Sequence, residues 1–394
     1  MSLLAAPALA GLGRPLSAWA ETADTPIASA DQALDVFDLE RVARAMLPPA
    51  HYGYLATGVD GDATLRANTS AFSNYELRVR RMRDLSRVDM SVTLFARTWD
   101  SPIYLNPIGS QRAFHAEGEL AAARAAGAKK HLQVLSTVSS VALEDVAQAR
   151  GEAPWYQLYP TDQWPVTRGL IRRARAAGCP ALVLTVDLQG GSNRLTAERG
   201  KRLDARDCQS CHGPEPKTFG DYVRRKPMFR GLDVSKVRSP APLDLDWDYV
   251  KRLRDDWSGP LLIKGLVTRE DAELALEHGV DGIVVSNHGG RAEDSGRAAI
   301  DSLVEVVEGV RDRVPVLVDS GFRRGSDIFK ALALGATAVG IGRPYIWGLA
   351  AFGQAGVERV LDLLRRELRI AMGQAGTRTL AEITPEFVMD RRRR

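Results

Sequence analysis

The stretch VPVLVDSGFRRGSDIFKALALGATAVGIGRP, Val314–Pro344, decides the fold. An apolar β-branched run stops at Asp319-Ser320-Gly321, a helical pattern covers 325–335, and a second apolar run ends in Gly340-Ile341-Gly342-Arg343. Strand, helix and strand at this spacing require the two strands to lie parallel. The same unit recurs outward from here. GIVVSN (282–287) precedes a helical stretch over 300–312, and PLLIKG (260–265) precedes one over 268–279. Farther back, PALVLTVD (180–187) opens into a long polar insertion, and WYQLY (155–159) leads to a helix over 165–177. LQVLS (132–136) leads to a helix from Leu143, and Ile103–Asn106 to one over 117–127; a last helix runs from 346 onward. Eight strand-like runs, each followed by a helix, fit an α/β (β/α)8 TIM barrel better than an open sheet.

Ahead of the barrel, Val36–Met46 has helical spacing closed by Pro48-Pro49. HYGYLATGVDGDATLRANTSAF (51–72) reads as a loop that presents side chains, with a short helix from Leu65. The expected organisation is one barrel domain over 35–384, with a lid-like insertion over 188–245 and a basic, solvated tail over 385–394. At 45% hydrophobic and 26% charged residues the chain specifies a packed globule rather than a disordered one. Its net charge of +4 comes from scattered Lys and Arg with no basic stripe between aromatics, which argues against a nucleic-acid partner. Leu3–Leu12 is apolar, and Ala18-Trp19-Ala20 resembles a signal cleavage site, although no basic residues precede it. Residues 1–24 therefore read either as the remnant of an export signal, implying a periplasmic location, or as an Ala-rich extension of a cytoplasmic protein. The run is shorter than the roughly 20 residues of a membrane span.

Polar residues cluster at the C-terminal ends of the runs: Ser136, Gln157, Tyr159, Thr185, Asp187, Lys264, Ser286, His288, Asp319 and Arg343. In a parallel barrel those ends share one face, where catalytic groups gather. IVVSNHGGRAED (283–294) puts a base, two flexible glycines and a cation directly after a strand. Asp319-Ser320-Gly321-Phe322-Arg323-Arg324-Gly325 together with Gly340-Ile341-Gly342-Arg343 reads as a phosphate site, since small residues admit an anion to backbone N–H groups and arginine adds a charged fork. Lys264 at a barrel mouth must meet negative charge, from Asp187 or Asp319 or from a cofactor.

SNHGGR, LTVD, QLY, LIKG, VDSGFRRGSDIFKALALGA and IGRP together resemble the FMN-dependent α-hydroxy-acid dehydrogenase/oxidase family, over about Leu39 to Thr384. That family includes glycolate oxidase, lactate oxidase, mandelate dehydrogenase and the flavin domain of flavocytochrome b2. The resemblance implies that an L-2-hydroxy acid is oxidised to a 2-keto acid while FMN takes two electrons. It assigns His288 as the base and Asp187 as the carboxylate that raises the imidazole pKa. It places Arg291, Tyr54 and Arg194 at the substrate carboxylate, Tyr159 near the substrate hydroxyl, and Lys264 at the flavin. Arg194 lies beyond Asp187-Leu188-Gln189-Gly190-Gly191, where the family often reads Asp-Thr-Pro. For FMN the resemblance implies Pro107, Ile108, Gly109, Thr137, Gln157, Thr185, Lys264 and Ser286 around the ring and ribityl chain. It implies Asp319, Gly321, Arg323, Gly342 and Arg343 around the ribityl and phosphate. Asp319-Ser320-Gly321 replaces the more usual Asp-Gly-Gly, one β-carbon that the site is expected to tolerate. Phe114, Trp155 and the lid are expected to bear on side-chain selectivity, and a homotetramer is expected by the same resemblance.

The electron acceptor is open between a quinone or cytochrome and oxygen, the latter giving a peroxide-forming oxidase or a lactate monooxygenase-like enzyme. By the same resemblance Gly109 lies where the family varies between alanine and glycine close to the flavin, and glycine there implies a dehydrogenase or the lactate monooxygenase rather than an oxidase. Cys208-Gln209-Ser210-Cys211-His212, in the insertion, has the spacing of covalent haem c attachment; a labile disulfide, a metal half-site or chance are the alternatives. Two further readings compete: a phosphate-binding barrel of other chemistry, such as an FMN-using isomerase or a sugar-phosphate lyase, and a flavin or haem carrier without turnover.

Overall fold

The computed structural model describes residues 27–206, 216 and 218–393. Eight parallel strands close into a barrel: β1 Ile103–Leu105, β2 Leu132–Ser136, β3 Trp155–Leu158, β4 Leu182–Thr185, β5 Leu261–Leu266, β6 Gly282–Val285, β7 Val316–Val318 and β8 Ala338–Ile341. They follow one another in chain order, and β8 pairs with β1. Most of their residues are apolar, Val, Ile and Leu foremost, because both faces are covered, by helices outside and by packed side chains inside.

Alternation along each strand sorts the core into two clusters. Ile103, Tyr156, Leu182, Leu184, Ile263 and Val285 belong to the cluster shared with the helices. Tyr104, Val134, Trp155, Val183, Leu262, Val284 and Leu317 form a second cluster in the barrel interior. The hairpin Val92–Leu94/Arg97–Trp99 packs on that second cluster and plugs the barrel at the end where its strands begin. Deleting a fully buried leucine such as Leu184 would cost about 2–5 kcal/mol.

Helices follow the strands as the periodicity predicts, ending in a long one, Arg343–Ala375, kinked at Phe352 and Gly353. Two segments differ from expectation. Tyr54 lies on a helix, Pro49–Ala56, rather than in a loop. Proline at the first helical position loses no needed N–H, so Pro48-Pro49, which follows one helix, also starts the next. The C-terminal segment is built into the fold rather than a free tail: Val388–Asp390 pairs antiparallel with Tyr75–Leu77. Arg391 ion-pairs with Glu76, and Arg392 with Asp301 and Asp390. No described helix is long and apolar enough to cross a membrane.

Candidate active site

Period-two alternation also builds the site. The register that turns Val183 inward turns Thr185 and Asp187 inward farther along, and the register of Leu262 delivers Lys264. Val284 likewise leads to Ser286 and His288, Leu317 to Asp319, and Trp155 to Gln157 and Tyr159. The interior is therefore apolar below and polar at its mouth. The same register corrects the expectation for Trp155, which lies in the barrel interior against Phe95, ring centroids 5.4 Å apart, away from the mouth. Phe114 does line the cavity at the mouth.

His288 holds a left-handed backbone conformation, φ 58°, costly for a residue with a side chain and fixed here by its surroundings. Its N–H donates to Ser286 Oγ at 3.0 Å, and its Nδ1 meets Asp187 Oδ1 at 2.8 Å. Ser286 uses its full capacity, accepting also from Lys264 Nζ at 2.7 Å and donating to Asp319 Oδ1 at 2.6 Å. Lys264 Nζ stands 3.5 Å from Asp319 Oδ2 and 3.8 Å from Asp187 Oδ2, so it serves both carboxylates. Burial pushes the His288 imidazole below its ordinary value, and the cations Lys264 and Arg291 add to the push; Asp187 opposes it without reversing it. The net direction is opposite to the raised pKa expected from the carboxylate alone. Burial works to raise Asp187, but His288 and Lys264 hold it below the usual carboxylate range. The resting pair is a neutral imidazole with its Nδ1 proton on an anionic Asp187, leaving the Nε2 lone pair free as a base.

Tyr159 Oη lies 3.5 Å from His288 Nε2. Burial, with Asp187 and Tyr54 nearby, pushes its phenol well above the ordinary value, so it stays a donor. Across the cavity the Arg291 guanidinium lies 4.4 Å from the centre of the Tyr54 ring and donates to the Tyr54 carbonyl at 2.5 Å. Loss of water around its hydroxyl would raise the Tyr54 phenol, though the residue is partly exposed, but Arg291 and Arg194 beside it bring it below the usual tyrosine value. The insertion after β4 thus returns Arg194 to Tyr54 despite its altered sequence. Tyr54, Arg194, Arg291, Tyr159 and His288 line one cavity.

Beyond the ion network lies the phosphate-like end. Arg323 rests 4.8 Å from the centre of the Trp347 ring and donates to the Phe322 carbonyl at 2.9 Å. Burial brings it down to about 10, with only Glu40 and Asp327 opposing from a distance. Arg343 donates to the carbonyls of Leu55, Gly289 and Thr57 at 2.9, 2.9 and 2.8 Å, tying the helix of Tyr54 to the loop of His288. Burial, then Arg291 and Arg323, push it well below its ordinary value. Gly342 caps the helix Arg343–Ala375 without a side-chain bond, and a β-carbon there would meet nothing closer than 3.6 Å. An open cradle, a free helix N-terminus and two half-buried arginines fit a phosphate. Asp319 Oδ2 and Asn106 Oδ1 are buried without hydrogen-bond donors, which fits the hydroxyls of a ribityl chain. The residues present fit FMN.

Pro107, Ile108, Gly109, Lys264, Asp319, Gly321, Arg323, Gly342 and Arg343 line this cavity together with His288 and Arg291. Thr137, Gln157, Thr185 and Ser286 are buried beside it. Gln157 Nε2 donates to Thr185 Oγ1 at 3.0 Å, and Thr137 Oγ1 donates to the Gln157 carbonyl at 2.6 Å. Cys208, Cys211 and His212 lie outside the described residues. Three participants were missed from sequence. Asn68 and Asn287 exchange amide bonds at 2.8 Å in each direction, anchoring the His288 loop to the N-terminal helices. Asn287 was quoted within its motif, but its partner, 219 residues away, carried no local signal. Ser320 sits at φ 78°, a glycine conformation, and its hydroxyl donates to Asp319 Oδ1 at 2.7 Å and accepts from Gly289 N–H at 2.9 Å. The replaced glycine was the visible signal, and the structure gives its β-carbon a use.

The profile of a family described as FMN-dependent dehydrogenase matches residues 43–390. The chain is 41% identical over 356 residues to a peroxisomal (S)-2-hydroxy-acid oxidase of Oryza sativa subsp. japonica, covering 90% of this chain and 96% of that one. It is 39% identical over 354 residues to an L-lactate oxidase of Lysinibacillus sphaericus, covering 87% and 89%. A crystal structure of mandelate oxidase superposes with a TM-score of 0.78 at 37% identity, covering 91% and 98%.

Proposed function

The chain belongs to the FMN-dependent dehydrogenase family and oxidises 2-hydroxy acids to 2-keto acids, and from that premise we propose which residues carry each step and where the electrons go. The carrying observation is the single cavity that presents His288 Nε2 beside Tyr159 and opposite Arg291, Arg194 and Tyr54. The arginines and the Tyr54 hydroxyl bind the substrate carboxylate, charge-assisted bonds that fix the carbinol carbon at His288. Tyr159 donates to the substrate hydroxyl, or accepts from it, and orients it. His288 Nε2 takes the substrate proton, and Asp187 stabilises the imidazolium that results. FMN, when bound, supplies the two-electron acceptor. Lys264 is placed to favour negative charge there, and Asp319, Arg323, Gly342 and Arg343 are placed to hold its ribityl and phosphate.

Anaerobic bleaching of the bound flavin by L-lactate, glycolate or (S)-mandelate tests this reading. His288→Asn should abolish bleaching while FMN stays bound; a carrier without turnover predicts no difference between the two proteins.

For the final acceptor, Gly109 supports a quinone or cytochrome, or a monooxygenase-like use of oxygen, over a peroxide-forming oxidase. The family pattern places this residue against the flavin, and a β-carbon here would approach Val138 Cγ2 to 2.4 Å. Oxygen is the second reading, favoured by the oxidase names of the relatives. Peroxide formed per turnover in air, against turnover with a soluble quinone, separates them. The Cys208-x-x-Cys211-His212 spacing and the Ala18-Trp19-Ala20 site support an exported form carrying covalent haem. A reduced-haem absorbance band would establish it; a purified periplasmic form with flavin absorbance alone and a protein-only mass would exclude it.

A further inference from the structure

A 2-hydroxy acid held by its carboxylate at Arg291, with its carbinol carbon at His288, has one substituent left to place. On the side of β1 the remaining wall includes Ser110, Ala113, Val138, Phe219 and Tyr222, while the insertion adds polar residues elsewhere, Ser192, Asn193 and Glu198 among them. The first stretch is mostly apolar, and Ala113 and Val138 keep it wide. Two polar tips interrupt that stretch. Ser110 is held at φ 57° by its N–H bond to the Val138 carbonyl at 3.1 Å, and its Oγ lies 3.0 Å from Tyr222 Oη. Lys226 Nζ donates to that same Oγ at 2.5 Å and lies 4.7 Å from the centre of the Tyr222 ring.

Ser110 and Tyr222 have one O–H each, and one of the two is used in the bond between them. If Ser110 donates to Tyr222, the tyrosine proton is left over; if Tyr222 donates, the serine proton is. Lys226 supplies only donors, so it cannot absorb the spare one. Burial, reinforced by Tyr54, pushes the Tyr222 phenol well above its ordinary value, so the proton stays in place. The wall therefore ends in an unmatched donor backed by a cation.

The cation is itself unmatched. Among the described residues Lys226 makes no ion pair, and burial brings its ammonium down to about 8, opposed only by Glu119. Glu119 does not reach it as an ion pair: its Oε1 accepts from the N–H groups of Gln111 at 3.0 Å and Ser140 at 2.8 Å, and its Oε2 is buried without a hydrogen-bond partner. Arg194 and Arg291 are answered by the substrate's first carboxylate. Lys201, also on this cavity, is paired with Glu198 at 2.9 Å. What Lys226 and the spare hydroxyl proton lack is a second acceptor on the ligand.

We propose that Ser110, Tyr222 and Lys226 form a second recognition point, selecting 2-hydroxy acids whose side chain ends in an acceptor oxygen, a carboxylate above all. Lys226 stands behind Ser110 and acts on the ligand through that hydroxyl and through its field. The assignment rests on the 2-hydroxy-acid reading of the same cavity.

The test compares substrates matched in length: 2-hydroxyglutarate with 2-hydroxyhexanoate, and 4-carboxymandelate with 4-methylmandelate, using the FMN-loaded enzyme. The carboxylated member of each pair should have the higher kcat/KM by roughly tenfold, through KM, the scale of one charge-assisted hydrogen bond. Lys226→Met and Tyr222→Phe, checked for FMN content, should each lower that ratio severalfold or more. Preference of the wild type for the apolar members overturns the proposal, and so does an equal loss on both members in the two variants, which would make the cluster merely structural. Failure of every 2-hydroxy acid to bleach the flavin would instead strike the underlying reading, so the two failures are distinguishable.

Discussion

Two groups of charge, buried or half-buried, share the barrel mouth, and they are built on opposite terms. Around His288 the charges answer one another: Lys264 stands between Asp187 and Asp319, and Ser286 and Ser320 use their hydroxyls among the same atoms. Around Arg323 they do not. Neither Arg323 nor Arg343 has a carboxylate within ion-pair distance among the described residues, and their guanidiniums rest on carbonyls and an indole ring. A compensated cluster keeps its geometry without a ligand and suits moving a proton within it. An uncompensated one is costly, in proportion to its burial, until an anion arrives, because charge withdrawn from water and left unpaired is destabilising. The first group is machinery and the second is a socket.

The largest expected effect tests the machinery. His288→Asn should lower kcat for flavin reduction by about 10⁴-fold, the upper range for removing a general base, with FMN retained. Asp187→Asn should cost roughly 10²–10⁴-fold by releasing the imidazole tautomer. Stopped-flow reduction measures both. If Asp187→Asn reduced flavin at the wild-type rate, the compensated cluster would be structural only.

The socket comes next. Arg323→Met should weaken FMN binding by roughly 10–100-fold, the worth of a charge-assisted contact. The FMN-free protein should melt no lower than its wild-type counterpart, because an unanswered, half-buried charge has been removed. A lower melting temperature in the FMN-free variant would break the comparison, since Arg323 would then be compensated after all.

The pH profile sharpens the first region. The active form is neutral His288, and its folded pKa lies below the ordinary 6.5. Activity is therefore fully present above that ordinary value and is lost as pH falls through the lowered one, so the acid limb of kcat/KM should lie below 6.5. Asp187→Asn removes a group that raises the imidazole and should move the limb lower still. A limb above 6.5 would mean that Asp187 outweighs burial.

The smallest effects concern backbone. Gly109→Ala pushes a β-carbon into Val138 and should cost about 1–3 kcal/mol, recovered in part by adding Val138→Ala. Ser320→Gly should change stability by less than about 1 kcal/mol, because relief at φ 78° offsets the loss of two hydrogen bonds. Thermal unfolding of both variants reads this order.

Much of the barrel could be read from the chain because a strand covered on both faces must be an uninterrupted apolar run, and eight such runs stand between helical patterns. His288, Lys264 and Asp319 were visible for the same reason, each being the polar residue at which an apolar run stops. Trp155 was misjudged because hydrophobicity does not say which way a strand residue points, and register turned it into the interior. The Tyr54 helix was missed because Pro48-Pro49 is compatible with ending one helix and starting another. Ser110, Tyr222 and Lys226 gave no signal, since a serine in a turn and a lysine in an insertion are ordinary surface residues until the fold closes the cavity around them.

The sequence by itself determined the parallel barrel, the end of it that carries chemistry, and the chemical kinds of group found there. These follow from period, run length and residue type, all local properties. The family resemblance anticipated Asp187 on His288 and Arg194 near Tyr54, and the structure gave these pairs their geometry; only the tertiary structure decided Asn68 on Asn287 and the two arginines left without carboxylates. Pairing depends on distances across the barrel between residues 100 or more positions apart, and the direction of the His288 shift depends on burial, which no local pattern records.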